Sequence, residues 1–388
     1  MSMKKLAVLS AVLVLAVPVW AAESLLKDLK IEPKVNIRFQ SGNPSLVYDE
    51  ANDAYENRGQ RTAVGALFDI TFTKEFESGA VVLLNLQGNG NTQEGAKSNG
   101  VPISAWSGLN SGFWSADDGV NVSDLNISQP FLDNKISVIV GKFGTDTYLS
   151  ANEAGEFFET NLFNPDPIFI GVGGDLYGLA VQFSPTEYID IFASYQANDI
   201  DNIGWDYAAA ELTFKLPIKG NEGNYRIGYW QNNESGQTLI DDDAKKAAAS
   251  GFMLSIDQKI VDGVLLFGRY GAPITQTQLN TLNAFGLGFI LEGSLWKRAD
   301  DSVGIGFGIV SLAGKAADEK FGGNKDKNYQ SETHFELYYN YKASDAISLS
   351  PAIQYIQNPQ GGGIEDSTML GSYVDSILIY GIRIMLGF

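Results

Sequence analysis

The chain has 388 residues and a formal net charge of −19, with no cysteine and a single histidine, His334. The lack of cysteine excludes disulfides, thiolate metal sites and cysteine nucleophiles, and one imidazole excludes a histidine-cluster metal site. So large an acidic surplus disfavours nucleic-acid binding, which needs basic patches. We therefore expect no metal, no other cofactor and no nucleic-acid partner.

The first 21 residues have the composition of an export signal. Two lysines precede a 15-residue, mainly apolar run, LAVLSAVLVLAVPVW, and the small residues Ala21 and Ala22 follow it. This arrangement is typical of a secretory signal peptide. The alternative is a membrane anchor helix, which needs a longer run of about 20 residues. We expect cleavage after Ala21, and a mature protein of residues 22–388 that forms a single domain.

From residue 34 onward, apolar and polar residues alternate almost everywhere. In KVNIRFQ, for example, Val35, Ile37 and Phe39 are separated by polar side chains. A period of two indicates β-strands with one apolar face. The pattern predicts about sixteen strands, at 34–41, 62–75, 80–88, 120–129, 135–143, 177–184, 187–196, 207–216, 223–231, 250–259, 263–271, 283–293, 302–311, 332–342, 346–356 and 376–388.

Short and long connections alternate strictly between these segments. The long ones lie at 42–61, 89–119, 144–176, 197–206, 232–249, 272–282, 312–331 and 357–375. Short periplasmic turns and long external loops are typical of bacterial outer-membrane barrels. In lipid every backbone polar group must be hydrogen-bonded within the protein, so the strands must close on themselves. We therefore predict an all-β fold, a transmembrane antiparallel β-barrel.

Soluble all-β folds are the alternatives. A β-sandwich has shorter strands and needs no strict alternation of connection length. A β-solenoid needs a fixed short repeat, which this sequence lacks.

A barrel of about sixteen strands leaves a water-filled lumen, whereas eight strands are filled by side chains. Charged residues on the face opposite the lipid are the candidates for lining it. They include Arg38, Arg226, Arg383, Glu211 and Glu336. On strand 302–311 the same face carries Gly304, Gly306 and Gly308, which either leave room for another group or ease strand curvature.

The third long connection, 144–176, is apolar for an external loop. Folding into the lumen would bury its aromatic side chains and narrow the pore. Its acidic residues would then face the wall arginines, a transverse charge arrangement that sets selectivity. Those acids are Asp146, Glu153, Glu156 and Glu159. The alternative is a loop that packs outside, on a neighbouring protomer.

The same segment offers groups suited to sugar recognition. Aromatic faces come from Tyr148, Phe157 and Phe158, and planar amides come from Asn152 and Asn161. Arginines on the wall would add permanently charged donors for hydroxyl groups.

Three stretches carry a pattern shared with a known family. Residues 331–363 contain SETHFELYYNY followed by a segment ending PAIQYIQNPQGGG; residues 129–164 contain a G-K pair followed by F-x-x-N-x-F at Phe158, Asn161 and Phe163; and LWKRADDSVGIG contains Arg298, Asp300 and Asp301. Together they resemble the carbohydrate-selective porins of the OprB type. The resemblance implies a sixteen-stranded porin that passes sugars by facilitated diffusion and is often trimeric.

Other functions stay open at this point. Removing Lys4 and Lys5 with the signal changes the net charge from −19 to −21, which favours a general or cation-preferring porin as the closest alternative. A barrel enzyme would need a Ser/His or Asp/His pair, and His334 offers one imidazole beside Glu332 and Glu336. We expect no catalytic residue. A structural or adhesive barrel with a plugged lumen is a further class.

The segment SILIYGIRIMLGF, residues 376–388, is the predicted closing strand. Its apolar face includes Tyr380 and Phe388, and we expect it to pair with residues 34–40 and so remove the barrel edge. Phe388 resembles the signal that the outer-membrane assembly machinery recognises. The expected surroundings are the lipid bilayer and lipopolysaccharide of a Gram-negative-type outer membrane.

Overall fold

A computed structural model describes residues 28–43, 46–49, 54–57, 61–91, 120–149, 152–155, 157–158, 175–197, 207–233, 249–274, 281–312, 331–358 and 376–387. Its strands, in chain order, are β1 (Lys30–Asn43), β2 (Leu46–Asp49), β3 (Ala54–Asn57), β4 (Arg61–Glu75), β5 (Val81–Asn91), β6 (Val120–Phe131), β7 (Ile136–Gly144), β8 (Asp175–Thr186), β9 (Ile189–Ala197), β10 (Tyr207–Lys215), β11 (Gly223–Asn232), β12 (Ala249–Val261), β13 (Val264–Pro273), β14 (Thr281–Glu292), β15 (Ser302–Leu312), β16 (Glu332–Ser344), β17 (Ile347–Gln357) and β18 (Ser376–Gly387). Three short 3-10 helices cover Thr145–Thr147, Glu153–Gly155 and Gly293–Trp296.

Sixteen of these strands form one closed antiparallel barrel, and β2 and β3 form a separate hairpin. Each barrel strand pairs with its neighbours in sequence, and β1 pairs with both β4 and β18. The seam between β1 and β18 runs from Lys34 opposite Gly387 to Asn43 opposite Leu378. The predicted barrel and its closing strand are therefore confirmed. The hairpin in the first long connection was not predicted.

The barrel wall is apolar outside and polar inside. On β14 the outward side chains of Phe285, Leu287 and Phe289 are exposed, whereas the intervening positions are buried. On β16 and β18 the inward side chains Glu336 and Arg383 are at most 2% exposed. A soluble protein shows the opposite distribution of polar and apolar groups, so the outer face is suited to lipid. Among the described residues, no helix has both the length and the apolarity needed to cross a membrane.

The turn between β14 and β15 is tied to β16 by one carboxylate. Asp301 accepts hydrogen bonds from Arg298 Nε at 2.5 Å, from the Lys342 backbone N–H at 3.0 Å and from the Tyr339 hydroxyl. The Arg298 guanidinium in turn lies 4.5 Å from the centre of the Tyr341 ring. The hydrogen bond from Arg298 is the main reason why the pKa of Asp301 is lowered to about 2. This buried carboxylate fixes the turn in its ionised form.

Candidate functional site

The chain leaves β7 along the inner face of β9. Gln196 Nε2 donates to the Phe143 carbonyl at 3.0 Å, and the Thr145 hydroxyl donates to Gln196 Oε1. The Tyr148 ring stacks on Phe192 with the ring centres 5.7 Å apart. The predicted site residue Tyr148 therefore lies at the root of the third long connection, held against the wall.

Farther along, the same connection reaches the opposite side of the barrel. Asn152 Nδ2 donates to the Ile256 carbonyl on β12 at 3.4 Å. Phe158 is fully buried and packs 5.4 Å from Phe267 on β13 and 4.8 Å, edge to face, from Tyr338 on β16. Strand β16 is seven strands from β7 by the shorter route around the ring. Because Phe267 and Tyr338 face inward, these contacts place Phe158 inside the barrel. Asn152, six residues earlier, is buried against the neighbouring strand β12.

Glycines on β14 and β15 make room for this contact. Gly288 is opposite Phe267, and a Cβ atom there would lie 2.5 Å from the Phe267 ring. Gly304 is opposite Tyr338, and a Cβ atom there would lie 2.0 Å from that ring. Real Cβ atoms do not approach other atoms so closely. The two rings can therefore lie against the wall only over glycine, and Phe158 packs between them.

Phe157 lies beside an arginine of the wall. The Arg383 guanidinium carbon is 5.3 Å from the centre of the Phe157 ring, within the range of a cation–π contact. Arg383 on β18 is directly opposite Arg38 on β1. Gln40, Ser350 and Gln354 line the same cleft as the two arginines. This part of the lumen therefore combines an aromatic face with guanidinium, amide and hydroxyl groups.

The other predicted wall residues also face inward. Glu211 is buried on β10 and accepts a hydrogen bond from the Thr213 hydroxyl at 3.2 Å. Glu336 is fully buried on β16. Arg226 on β11 forms an ion pair with Asp257 on β12.

Some predicted positions lie outside the described residues. They are Glu156, Glu159, Asn161, Phe388 and the side chains of Asp146 and Glu153. The pairing of wall arginines with these acids stays a prediction.

Several inward residues were not singled out from the sequence. Arg269 on β13 is 2% exposed, and Phe267, on the same face, holds Phe158. The run Leu265, Leu266, Phe267 interrupts the alternation of polar and apolar residues, which hides the inward face of β13. Gln196 and Tyr338 follow the alternation, but their contacts depend on a distant segment. Among the described residues, no three His, Asp or Glu side chains are placed to hold a metal ion.

Comparison with known proteins extends these observations. The model of the family "Carbohydrate-selective porin, OprB family" matches residues 74–388. OprB of Pseudomonas putida, in its high-pH structure, superposes with a TM-score of 0.75 at 16% identity, covering 95% of this chain and 96% of that one. The anion-selective porin from Comamonas acidovorans superposes with a TM-score of 0.58 at 13% identity, covering 93% and 99%.

The chain also has a relative among known sequences. QuiX from Acinetobacter baylyi, a protein named as a porin, is 22% identical over an alignment 380 positions long, which covers 81% of each chain. The family match spans most of the chain, and the chain folds into the sixteen-stranded barrel described above. The protein therefore belongs to the OprB family of carbohydrate-selective porins, and it is an outer-membrane channel.

Proposed function

We propose that this porin passes small carbohydrates across the outer membrane by facilitated diffusion. The observation that carries the proposal is the Phe157 ring in the lumen, with the Arg383 guanidinium 5.3 Å from its centre. Ligand sites combine apolar and aromatic faces with a few well-placed polar groups. A sugar ring presents C–H groups to the aromatic face and hydroxyls to the arginine, whose donors stay charged at every physiological pH.

The segment 144–176 forms the constriction in this proposal. The contacts of Asn152, Phe157 and Phe158 with β12, β13, β16 and β18 support infolding over packing on a neighbouring protomer. The acids Glu153, Glu156 and Glu159 then face the wall arginines, and Asn161 joins the polar lining. The resulting transverse field orients polar solutes in the narrow part of the pore.

Reconstituted barrels test this function. Liposome swelling should show faster entry of glucose and maltose than of an amino acid of similar size. In planar bilayers, the same sugars should reduce the single-channel current in a concentration-dependent way. A current that is insensitive to every sugar tested would refute carbohydrate selectivity.

A general or cation-preferring porin is the second candidate, favoured by the net charge of −19 for the whole chain. Such a channel conducts ions without a sugar-dependent block. The reversal potential in a salt gradient separates the two, because fixed negative charge in the lumen favours cations.

Export and assembly belong to the same proposal. Residues 1–21 are removed as a signal peptide, which N-terminal sequencing of the outer-membrane protein tests directly. The mature chain forms one domain, is inserted by the outer-membrane assembly machinery and associates as a homotrimer, which mass photometry in detergent can measure. Its acidic surface suits contact with lipopolysaccharide bridged by divalent cations.

A further inference from the structure

A second polar group of the lumen lies across the barrel from the Arg38–Arg383 cleft. Strand β11 is eight strands from β1 in the ring of sixteen, so the two strands face each other. Arg226 on β11 is ion-paired with Asp257 on β12, and Asn224 Nδ2 donates to Asp257 Oδ2 at 2.6 Å. The side chains of Arg226 and Asp257 are 11% and 15% exposed, so each keeps a small accessible surface on the inner face of the wall.

Ser255 adds an unused hydrogen-bonding group to this pair. It is directly opposite Arg226 in the β11–β12 register and faces the same side. Its hydroxyl is buried and has no hydrogen-bond partner in the structure, and the residue is 2% exposed. Buried polar groups are normally hydrogen-bonded, so an unused one calls for an explanation. A small shift of the side chains around it would open this hydroxyl to a hydroxyl-bearing ligand, or to water between solutes.

The Arg226–Asp257 pair also lies next to the point where the third long connection, 144–176, contacts the wall. Asp257 is directly opposite Phe267 in the β12–β13 register, and Phe267 packs against Phe158. A solute that passes Phe157 and Phe158 on this side of the lumen therefore comes next to the Arg226–Asp257 pair.

We propose that Arg226, Asp257 and Ser255 form a second hydroxyl-binding station that selects uncharged polyols over sugar acids. A sugar hydroxyl both donates and accepts, and the station supplies a guanidinium donor, a carboxylate acceptor and a hydroxyl that does either. The carboxylate of a sugar acid would meet the Asp257 carboxylate and be repelled. This inference rests on the proposed sugar transport and names the preferred class of solute.

Current block by glucose and by gluconate tests the station. Asp257→Asn keeps the shape but removes the negative charge, so gluconate should block about tenfold more strongly relative to glucose than in the wild type. Ser255→Ala removes only the unused hydroxyl, so it should fold normally and weaken glucose block several-fold, with little change in KCl conductance. Asp262→Asn, in the exposed turn after β12, is the matched control and should leave both blocks unchanged.

The outcomes separate the two proposals. If glucose blocks the wild type but Asp257→Asn and Ser255→Ala both behave like Asp262→Asn, the station is wrong and sugar transport stands. If no sugar blocks the wild type, sugar transport fails and the station fails with it. If Asp257→Asn does not fold, as judged by heat-modifiable migration on gels, the Ser255→Ala result alone decides.

Discussion

Arg38 and Arg383 lie directly opposite each other across the seam between the first and last strands, and both side chains are buried inside the barrel. The two guanidinium groups therefore place positive charge side by side on the inner face of the seam. Their neighbour is the Phe157 ring, which adjoins Arg383. The two arginines and the ring therefore lie together in one part of the lumen.

Replacing either arginine should change ion selectivity. Arg38→Gln or Arg383→Gln removes one positive charge from the lumen and should lower the chloride-to-potassium permeability ratio about twofold. The reversal potential in a KCl gradient measures this ratio, and the shift should shrink at high salt, where charges are screened. Lys135→Gln, in the exposed turn between β6 and β7, is the control. Equal reversal potentials for all three variants would exclude the arginines from the conduction path.

Removing the Phe158 side chain should widen the pore. Phe158 is fully buried between Phe267 and Tyr338, so Phe158→Ala leaves a cavity and weakens the docking of the inner connection by about 3–5 kcal/mol. Single-channel conductance should rise and become noisier. Phe335→Ala removes an outward-facing ring of the same size and should leave conductance unchanged. An unaltered conductance in Phe158→Ala would mean that this contact does not limit the pore.

The glycines that lie against the Phe267 and Tyr338 rings, Gly288 and Gly304, lead to a separate prediction. Gly304→Ala puts a methyl group about where the Tyr338 ring lies, so the ring and Phe158 must move. Gly268→Ala, on the outer face of β13, meets nothing closer than 3.5 Å. We expect Gly304→Ala to lower the heat-unfolding temperature and raise the conductance, and Gly268→Ala to do neither. Comparable unfolding temperatures in the two variants would show that glycine at position 304 is not needed for the aromatic contact.

The lowered pKa of Asp301 predicts that the stability of the barrel depends on pH. Its ordinary pKa of 3.8 is lowered to about 2 in the folded protein, so its ionised form stabilises the barrel fully above about pH 3.8. This stabilisation disappears as the pH falls through 3.8 towards about 2. Asp301→Asn should unfold at a lower temperature than the wild type at neutral pH and show a smaller decline below pH 4.

The neighbouring residue supplies the control for that measurement. Asp300 is exposed in the same turn, so Asp300→Asn should follow the wild-type curve of heat-unfolding temperature against pH. If the heat-unfolding temperature of Asp301→Asn falls in acid as much as that of the wild type, the loss of stability in acid comes from other carboxylates.

The sixteen barrel strands were predictable because the surroundings of each strand determine the pattern of residues within that strand alone. Lipid on one side and the lumen on the other impose a period of two, as in Val35, Ile37 and Phe39 on β1. The inward positions of Arg38, Glu211 and Arg383 follow from the same period. Closure was predictable too, since an open edge in a membrane leaves backbone groups unsatisfied.

The contacts across the lumen were not predictable in the same way. The packing of Phe158 on Phe267 and Tyr338 depends on the path of a connection with no periodicity. Pairing of Arg226 with Asp257 depends on strand register, which alternation alone does not fix beyond odd and even positions. Gly288 and Gly304 gain their role only once the register places them opposite aromatic residues.

The most direct test of sugar recognition is the block of single-channel current by glucose in the wild type and in Phe157→Ala. We predict that glucose reduces the wild-type current in a saturable way, and that Phe157→Ala weakens this block at least several-fold while the channel still conducts KCl. A wild-type current that does not respond to glucose or maltose, or an equal block in Phe157→Ala, would contradict sugar recognition at the Phe157–Arg383 contact.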